Sequence, residues 1–279
     1  MTSLSQHINC LDQSVSIDKL GQYDIAIRLV SGGFSFVVYD NHQRKFVALS
    51  DYHCTTPIDE LFSQFDQRHW SLTSFKSARV FIANEYKTLV PQALYNQEAN
   101  SAYLEFVHDL PQGMVIKADA LRNTSTQLVY AFEGATAERF ESTPIFNSTS
   151  VLIESLSVEC KNMTDKPRVF VSIEPDNFDM LTFENGKLVF FNNFKYKTKE
   201  DFLYFVLFAF EQQHLNPESI PVYLIGTINE NSDIIQLSEK YINDLRFMSR
   251  NKNLRYGYKL EEIPFHYHYI LYNTLQCEL

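Results

Sequence analysis

The stretch YDIAIRLVSGGFSFVVYDNHQRKFVALS, residues 23–50, reads as three short strands joined by two tight turns. Tyr23 to Val30 sets Ile25, Ile27 and Leu29 on one face. Ser31-Gly32-Gly33 turns the chain, Phe34 to Tyr39 runs back, and Asp40 to Gln43 leads into Lys45 to Ser50. Apolar runs punctuated by Gly, Asn and Asp predict an antiparallel meander. A helix follows: Thr56 stands at the cap, Pro57 at the first helical position, and Asp59 and Glu60 in the first turn. Ile58, Leu61, Phe62 and Phe65 recur at i, i+3, i+4 and i+7, a one-sided apolar stripe. Arg79 to Ala83 is short and nearly all apolar, as a strand covered on both faces and lying parallel beside the meander would be.

The same order returns in VFVSIEPDNFDMLTFENGKLVFFNNF, residues 169–194. Val169 to Ile173 and Phe178 to Phe183 are strands, Asn185-Gly186 is a strong two-residue hairpin signal, and Leu188 to Phe194 is the third strand. Thr198 to Asp201 resembles a capping box. The helix after it runs to about His214, is apolar nearly all round, and is expected in the middle of the protein. Val222 to Gly226 is the next strand. Ile27 and Val171 lie 144 residues apart, Pro57 and Lys199 142, and Arg79 and Val222 143. A near-constant offset over three landmarks predicts an internal duplication of a β-β-β-α-β unit. At an offset of 144, Phe34 meets Phe178, Tyr39 meets Phe183, Asp40 meets Glu184 and Asn41 meets Asn185.

Outside these units the reading is coarser. Residues 1–20 are polar and read as a loose arm. Residues 85–165 hold an insertion and a closing segment, with a helix over 98–106, a strand over 127–132 and a helix over 151–158. A helix is expected over 233–244, a short strand over 245–248, and a closing helix in IPFHYHYILYNTL. The expected architecture is α/β, with lobe one at 1–165, its insertion at about 85–125, and lobe two at 166–279.

Composition narrows the function classes. At 279 residues, 45% apolar and 21% charged, the chain has a globular balance. A net charge of −10 argues against a general nucleic-acid partner, and the small cluster Arg246, Arg250, Lys252 and Arg255 reads as solvated surface. The first residues carry no secretion signal, and the longest apolar run, Phe202 to Phe210, is too short to cross a bilayer. The expected location is therefore the cytoplasm. Cys10, Cys54, Cys160 and Cys277 form no CxxC pair and are expected as free thiols.

Several motifs carry a resemblance. VSIEPDNFDMLTFENGKLVFF (residues 171–191) resembles the second-lobe hairpin of bacterial actin homologues used in cell division and pilus assembly. IRLVSGGFSFVVYD (27–40), LVPQALYN (89–96) and NNFKYKTKEDFLYFVLFAFEQQHLNPE (192–218) resemble a bacterial protein family of unknown function. The implied fold is that of the actin-like ATPases, two tandem ribonuclease H-like lobes. Active members of that superfamily bind ATP between the lobes. Each lobe offers a glycine-bearing turn to the phosphates, and an Asp ending its first strand organises the metal.

Carried onto this chain, the resemblance fails at the sites. The lobe-one Asp position falls on Arg28 and the following Gly on Val30, while Ser31 keeps the small hydroxyl and Gly32 and Gly33 follow it. In lobe two the strand Asp falls on Ser172, and the glycine run on Glu174-Pro175-Asp176, with Asn177 next; Asp179 matches the hairpin acid. The adenosine-side motif keeps one glycine, Gly226. Glu174 and Asp176 would repel a polyanion, Pro175 lacks a donor, and Arg28 cannot hold Mg²⁺. The expectation is a pseudo-ATPase with no catalytic residues, cofactor or metal, which binds a protein partner. The alternative is a divergent nucleotide- or anion-binding enzyme or sensor. It would use the inter-lobe cleft through Arg28, Ser31, Gly32, Gly33, Asp176, Asn177, Asp179 and Gly226, with ATP as cofactor.

Other candidates read as structure. His266 and His268 could share a metal on a strand, but they lack further ligands and read as an aromatic closing element. Asp51-Tyr52-His53-Cys54 reads as a loop, since adjacent residues cannot align as nucleophile, base and orienter. Tyr256, Tyr258, Tyr267 and Tyr269 are expected exposed, as candidates for an interaction surface.

Overall fold

The computed structural model describes residues 5–12, 15–163, 166–251, 253–275 and 279. In chain order the elements are β1 (Ser5–Leu11), β2 (Tyr23–Val30), β3 (Gly33–Asp40), β4 (Lys45–His53), α1 (Pro57–Gln67), β5 (Ser77–Ile82) and β6 (Lys87–Pro91). Next come α2 (Asn100–Glu105), β7 (Met114–Leu121), β8 (Thr126–Glu133), α3 (Gly134–Arg139), β9 (Ile145–Asn147) and α4 (Ser148–Cys160). Then follow β10 (Arg168–Ile173), β11 (Asn177–Glu184), β12 (Lys187–Lys195), α5 (Lys199–Gln212), β13 (Val222–Ile225), α6 (Asp233–Ser238), β14 (Leu245–Phe247) and α7 (Tyr269–Asn273). The chain forms two compact units. The first comprises Met1–Leu152, Asn251–Ile263 and Ile270–Leu279, and the second Ile153–Arg250 and Pro264–Tyr269.

The first unit is built on a sheet in the order β1-β4-β3-β2-β5-β9, antiparallel through the meander and parallel from β2 to β5 to β9. β3 is buried along nearly its whole length, as a central strand covered on both faces must be. Phe36, Phe65, Trp70 and Phe75 pack edge to face with centroids 5.5–5.9 Å apart. Arg68 spans this cluster: its guanidinium lies 5.9 Å from the Phe36 and Trp70 rings, and Nη2 donates to the buried Tyr52 hydroxyl at 2.7 Å. A second aromatic group joins Phe46 to Tyr256 and Tyr272, with centroids 5.0–5.6 Å apart. A smaller sheet, β6-β8-β7, forms the insertion and packs Val90, Val129 and Ala131 with Leu104 of α2.

The second unit carries the order β12-β11-β10-β13-β14, again antiparallel and then parallel. α5 covers it through Phe202, Leu203, Val206, Ala209 and Phe210. Phe178 meets Phe202 at 4.7 Å and Phe194 at 5.3 Å. The capping box is present: the Thr198 side chain accepts from Asp201 N, and the Asp201 carboxylate accepts from Thr198 N.

The two sheets share register as well as order. Ile27 pairs with Phe36 and Val80, and Val171 with Met180 and Leu224, which are the same partners displaced by 144 residues. The third strands share their pairing at a displacement of 142: Lys45 opposes Asp40 as Lys187 opposes Glu184. Both meanders carry a β-bulge at the same place, between Val38 and Tyr39 and between Thr182 and Phe183. The change from 144 to 142 falls in the hairpin turn, which is four residues long in the first unit and the two-residue Asn185-Gly186 in the second.

Several expectations are corrected. The polar arm is in part the strand β1, which pairs with β4 from Ser5↔His53 to Leu11↔Ala48. Its main chain supplies the pairing, so apolar alternation does not mark it. Asp51 to His53 are not loop but strand, held by β3 on one side and β1 on the other. α5 is apolar nearly all round but is not buried on all sides, since it leaves Tyr204 and Phe208 exposed. The helix expected over 233–244 ends at Ser238, beyond which Lys240 N and Tyr241 N bond back to Leu237 O and Ser238 O in three-residue turns. Thr56 precedes α1 but caps it with no side-chain hydrogen bond. Tyr256 and Tyr269 are buried, whereas Tyr258 is exposed. The closing segment is a 3-10 turn, Phe265–His268, running into the short α7. Among the described residues no helix is long and apolar enough to cross a membrane. Lys252 lies outside the described residues.

Candidate functional site

The residues expected at a phosphate site stand where β2, β10 and β13 end. In the first unit β2 ends at Val30, paired with Gly33 across the turn. Gly32 takes φ +79° in open space, and its carbonyl accepts from Cys54 N at 2.9 Å. Gly33 is glycine for another reason: a Cβ there would lie 2.3 Å from the Tyr52 carbonyl oxygen. One glycine turns the chain and the other admits β4. Ser31 is exposed beside them.

Arg28 lies earlier on β2, opposite Ser35 on β3 and Phe81 on β5. Its Nε donates to Ser148 Oγ at 3.3 Å, at the first residue of α4. That helix start is a buried polar knot. Asp119, on β7 of the inserted sheet, accepts from Asn147 N at 2.8 Å, Ser150 Oγ at 2.7 Å and Tyr130 Oη at 3.2 Å. Asn147 Oδ1 accepts from Thr149 N at 2.9 Å. The chain's own carboxylate thus occupies the positive end of α4. Burial pushes the Asp119 carboxyl up to about 6, against the lowering effect of its donors Asn147, Ser150 and Tyr130. The same burial, with the Asp119 charge beside it, raises Tyr130. Asp119 did not stand out in the sequence. The available signal was the polar run Asn147-Ser-Thr-Ser before an apolar stretch, which marks a helix start in need of an acceptor.

In the second unit the turn from Glu174 to Asn177 closes on itself. Glu174 N donates to Asn177 O at 2.9 Å, and Asn177 Nδ2 to Asp176 Oδ1 at 2.7 Å. Asn193, on β12, ties two of the expected residues together. Its Nδ2 donates to Asn177 Oδ1 at 2.9 Å, to Asp179 Oδ1 at 2.8 Å and, at the longer 3.4 Å, to Phe178 O. Tyr196 binds from beyond the strand: its N donates to Asp176 O at 3.1 Å and its hydroxyl to Glu174 O at 2.7 Å. Burial, then the charges of Glu174 and Asp176, push the Tyr196 phenol up to about 12. Asp179 itself is buried, opposite Ser172. Asn193 and Tyr196 were missed because they act from the neighbouring strand.

Gly226 takes φ +117°, and a Cβ there would lie 2.3 Å from Ile173 O, the end of β10. Its N donates to His266 O at 2.8 Å, and its carbonyl accepts from Ile228 N at 2.9 Å. Both main-chain groups are spent on the fold. His266 is buried, with Nε2 2.9 Å from Ile228 O, and burial lowers its pKa.

Elsewhere the chemistry is quiet. Burial raises the thiols of Cys10 and Cys54 and pushes Cys160 up to about 12, so the described cysteines are protonated at neutral pH. Among the described residues no group of three His, Cys, Asp or Glu is placed to hold a metal ion. A pocket of about 280 Å³ in the first unit is lined by residues 10–12, Val47 and residues 257–260, none of them among the expected site residues.

A family model described as protein of unknown function (DUF3822) matches residues 12–245. No curated protein matches the chain. The chain is similar to a solved Bacteroides thetaiotaomicron protein with an actin-like ATPase fold and unknown function, at 21% identity and a TM-score of 0.79, over 95% of this chain and 99% of that one. It is also similar to a chain of the PilM-PilN type IV pilus biogenesis complex, at 12% identity and a TM-score of 0.58, over 89% and 96%. At these identities the likeness establishes the fold, an actin-like ATPase fold.

Proposed function

We propose, for a chain that belongs to the family described as protein of unknown function (DUF3822), the role of a non-catalytic actin-like binding or scaffolding protein. The observation that carries this reading is the turn from Glu174 to Asn177. It presents two carboxylates, a proline and a set of hydrogen bonds closed by Asn193 and Tyr196, where a phosphate cradle needs free N–H donors. The residues present do not fit Mg-ATP. Arg28 replaces the metal-organising acid, Gly33 and Gly226 are explained by close backbone approach, and the N-terminus of α4 is already served by Asp119. The pseudo-ATPase reading therefore takes no cofactor.

Isothermal calorimetry tests it. Titration of the full chain with ATP and ADP in the presence of Mg²⁺ gives no heat of binding at micromolar ligand; micromolar affinity would overturn the reading. The alternative, a nucleotide- or anion-binding enzyme or sensor working through Arg28 and Ser31 to Gly33, has less support, because Arg28 is engaged with Ser148 inside its own unit.

The same reading places the protein in the cytoplasm with a protein partner. A net charge of −10 disfavours nucleic acid, and the structural neighbour from the PilM-PilN complex supports use of this fold in partner binding. The shared register and the bulge at matching positions support an origin by internal duplication.

A further inference from the structure

The six-stranded sheet of the first unit and the five-stranded sheet of the second differ at one edge. In the first unit β4 is covered by β1, which pairs with Ala48 to His53. In the second unit β12 is outermost, and the counterpart stretch is Phe190 to Lys195, since Ala48 opposes Val38 as Phe190 opposes Thr182, and His53 opposes Gly33 as Lys195 opposes Asn177. No strand among the described residues lies on the outer side of β12, where Asn193 N donates to the neighbouring Asn192 Oδ1 at 3.0 Å.

We propose that the β12 edge, Phe190 to Lys195, receives an extended segment of a partner protein as an antiparallel strand whose C-terminal end carries an acidic residue. The proposal rests on the reading of this chain as a binding protein and names where it binds.

The covering strand of the first unit describes the occupant. β1 runs antiparallel to β4 and continues into Asp12, whose N donates to Val47 O at 2.8 Å and whose carboxylate meets Lys45 Nζ at 3.2 Å. Lys187 stands on β12 where Lys45 stands on β4, and it is exposed. β1 also brings Asn9 against β4, where Ser50 Oγ donates to Asn9 Oδ1 at 3.1 Å; the residue in Ser50's place on β12 is the exposed Asn192. Lys187 stands at the end of β12 that the C-terminal end of such an antiparallel occupant reaches, in a protein of net charge −10, so an acidic residue there is the complement. The neighbouring helix adds an apolar ledge. Phe194 stacks on Phe205 at 5.4 Å, Phe205 meets Tyr204 at 5.3 Å, and Tyr204 stacks on Phe208 at 6.1 Å, with Tyr204 and Phe208 exposed. Main-chain pairing would supply affinity and the ledge and lysine selectivity.

A second copy of this chain fits the edge poorly. Antiparallel pairing of β12 with itself about Phe191 would set Lys187 opposite Lys195 at both ends. Like charges directly opposite one another are destabilising.

The test uses the full chain and a fluorescent peptide of its own residues 5–12 carrying Cys10→Ser, followed by fluorescence anisotropy. The peptide binds saturably. Lys187→Glu weakens it about two- to fivefold, the range of a single exposed ion pair. A peptide that also carries Asp12→Lys reverses that order, binding the Lys187→Glu chain better than the wild type. Phe191→Pro, which removes a main-chain N–H that faces the open edge and is checked for folding by circular dichroism, abolishes binding. Absence of saturable binding, or binding indifferent to the charge exchange, overturns the proposal. So does a dimer in sedimentation that Phe191→Pro dissolves, since the occupant is then a second copy. These outcomes are independent of the nucleotide titration: ATP binding would sink the pseudo-ATPase reading and leave the edge untouched, while peptide failure would do the reverse.

Discussion

Gly33 and Gly32 are neighbours with different duties, and substitution separates them. Gly33→Ala drives a methyl into the Tyr52 carbonyl, between two paired strands that cannot separate, and is expected to cost roughly 3 kcal/mol. Gly32→Ala meets open space and bears only the left-handed backbone, about 1 kcal/mol. Urea melts of the two variants check the order; equal losses would refute it. Asp119 makes the second residue-scale prediction. Its folded-state pKa lies above the ordinary 3.8, so the stability it contributes is full below about pH 4 and is lost as pH rises through about 6. Asp119→Asn removes that titration. The wild-type advantage over the variant is expected to shrink by about 2–3 kcal/mol between pH 4 and pH 7, and a difference constant over that range would contradict it. At this scale the candidate site was half legible. That Arg28 is no metal-holding acid and that Glu174 to Asp176 hold no glycine could be read directly. That Asn193, Tyr196 and Asp119 close the same places could not, because each arrives from a different strand.

Among the elements, the meanders and their helices were legible because their apolar periods are long and their turns carry Asn, Gly and Pro. β1 was not. Its stability comes from hydrogen bonds to β4, and a mostly polar edge strand leaves no alternation to read. β6 and β7 escaped for a related reason: the inserted sheet buries a core of few residues, so its strands are only partly apolar. α5 misled in the other direction. Its sequence is apolar all round, yet the sheet takes only one side of it. Phe202→Ala removes a ring packed on Phe178 and is expected to cost about 3–5 kcal/mol, whereas Tyr204→Ser, on the exposed side, changes stability by about 0.5 kcal/mol or less. Chemical denaturation distinguishes them, and a comparable loss for Tyr204→Ser would mean that its ring is covered.

At the scale of the whole molecule, the likeness of the two sheets lies in register rather than in residue identity. Eight pairings between the second and third strands recur with the same bulge, while Ser172 stands in the place of Arg28 and Asn177 in that of Gly33. Sheet geometry tolerates such exchanges wherever volume and pairing survive. A phosphate turn does not tolerate them, because its chemistry lies in particular N–H groups. The architecture thus rests on pairing and volume and does not depend on which residues fill the turns. The same separation explains why the fold was the more legible part and the partner the least.

The aromatic cluster of the first unit has an optical consequence. Trp70 is the single tryptophan of the chain, and it sits among Phe36, Phe65 and Phe75 in the first unit. Indole emission therefore reports on that unit alone. Melting confined to the second unit would leave the emission spectrum unchanged while ellipticity fell, and a divergence between the two signals would reveal it. Effects of Phe202→Ala must accordingly be followed by ellipticity, and a tryptophan placed at the exposed Tyr204 would give the second unit its own reporter.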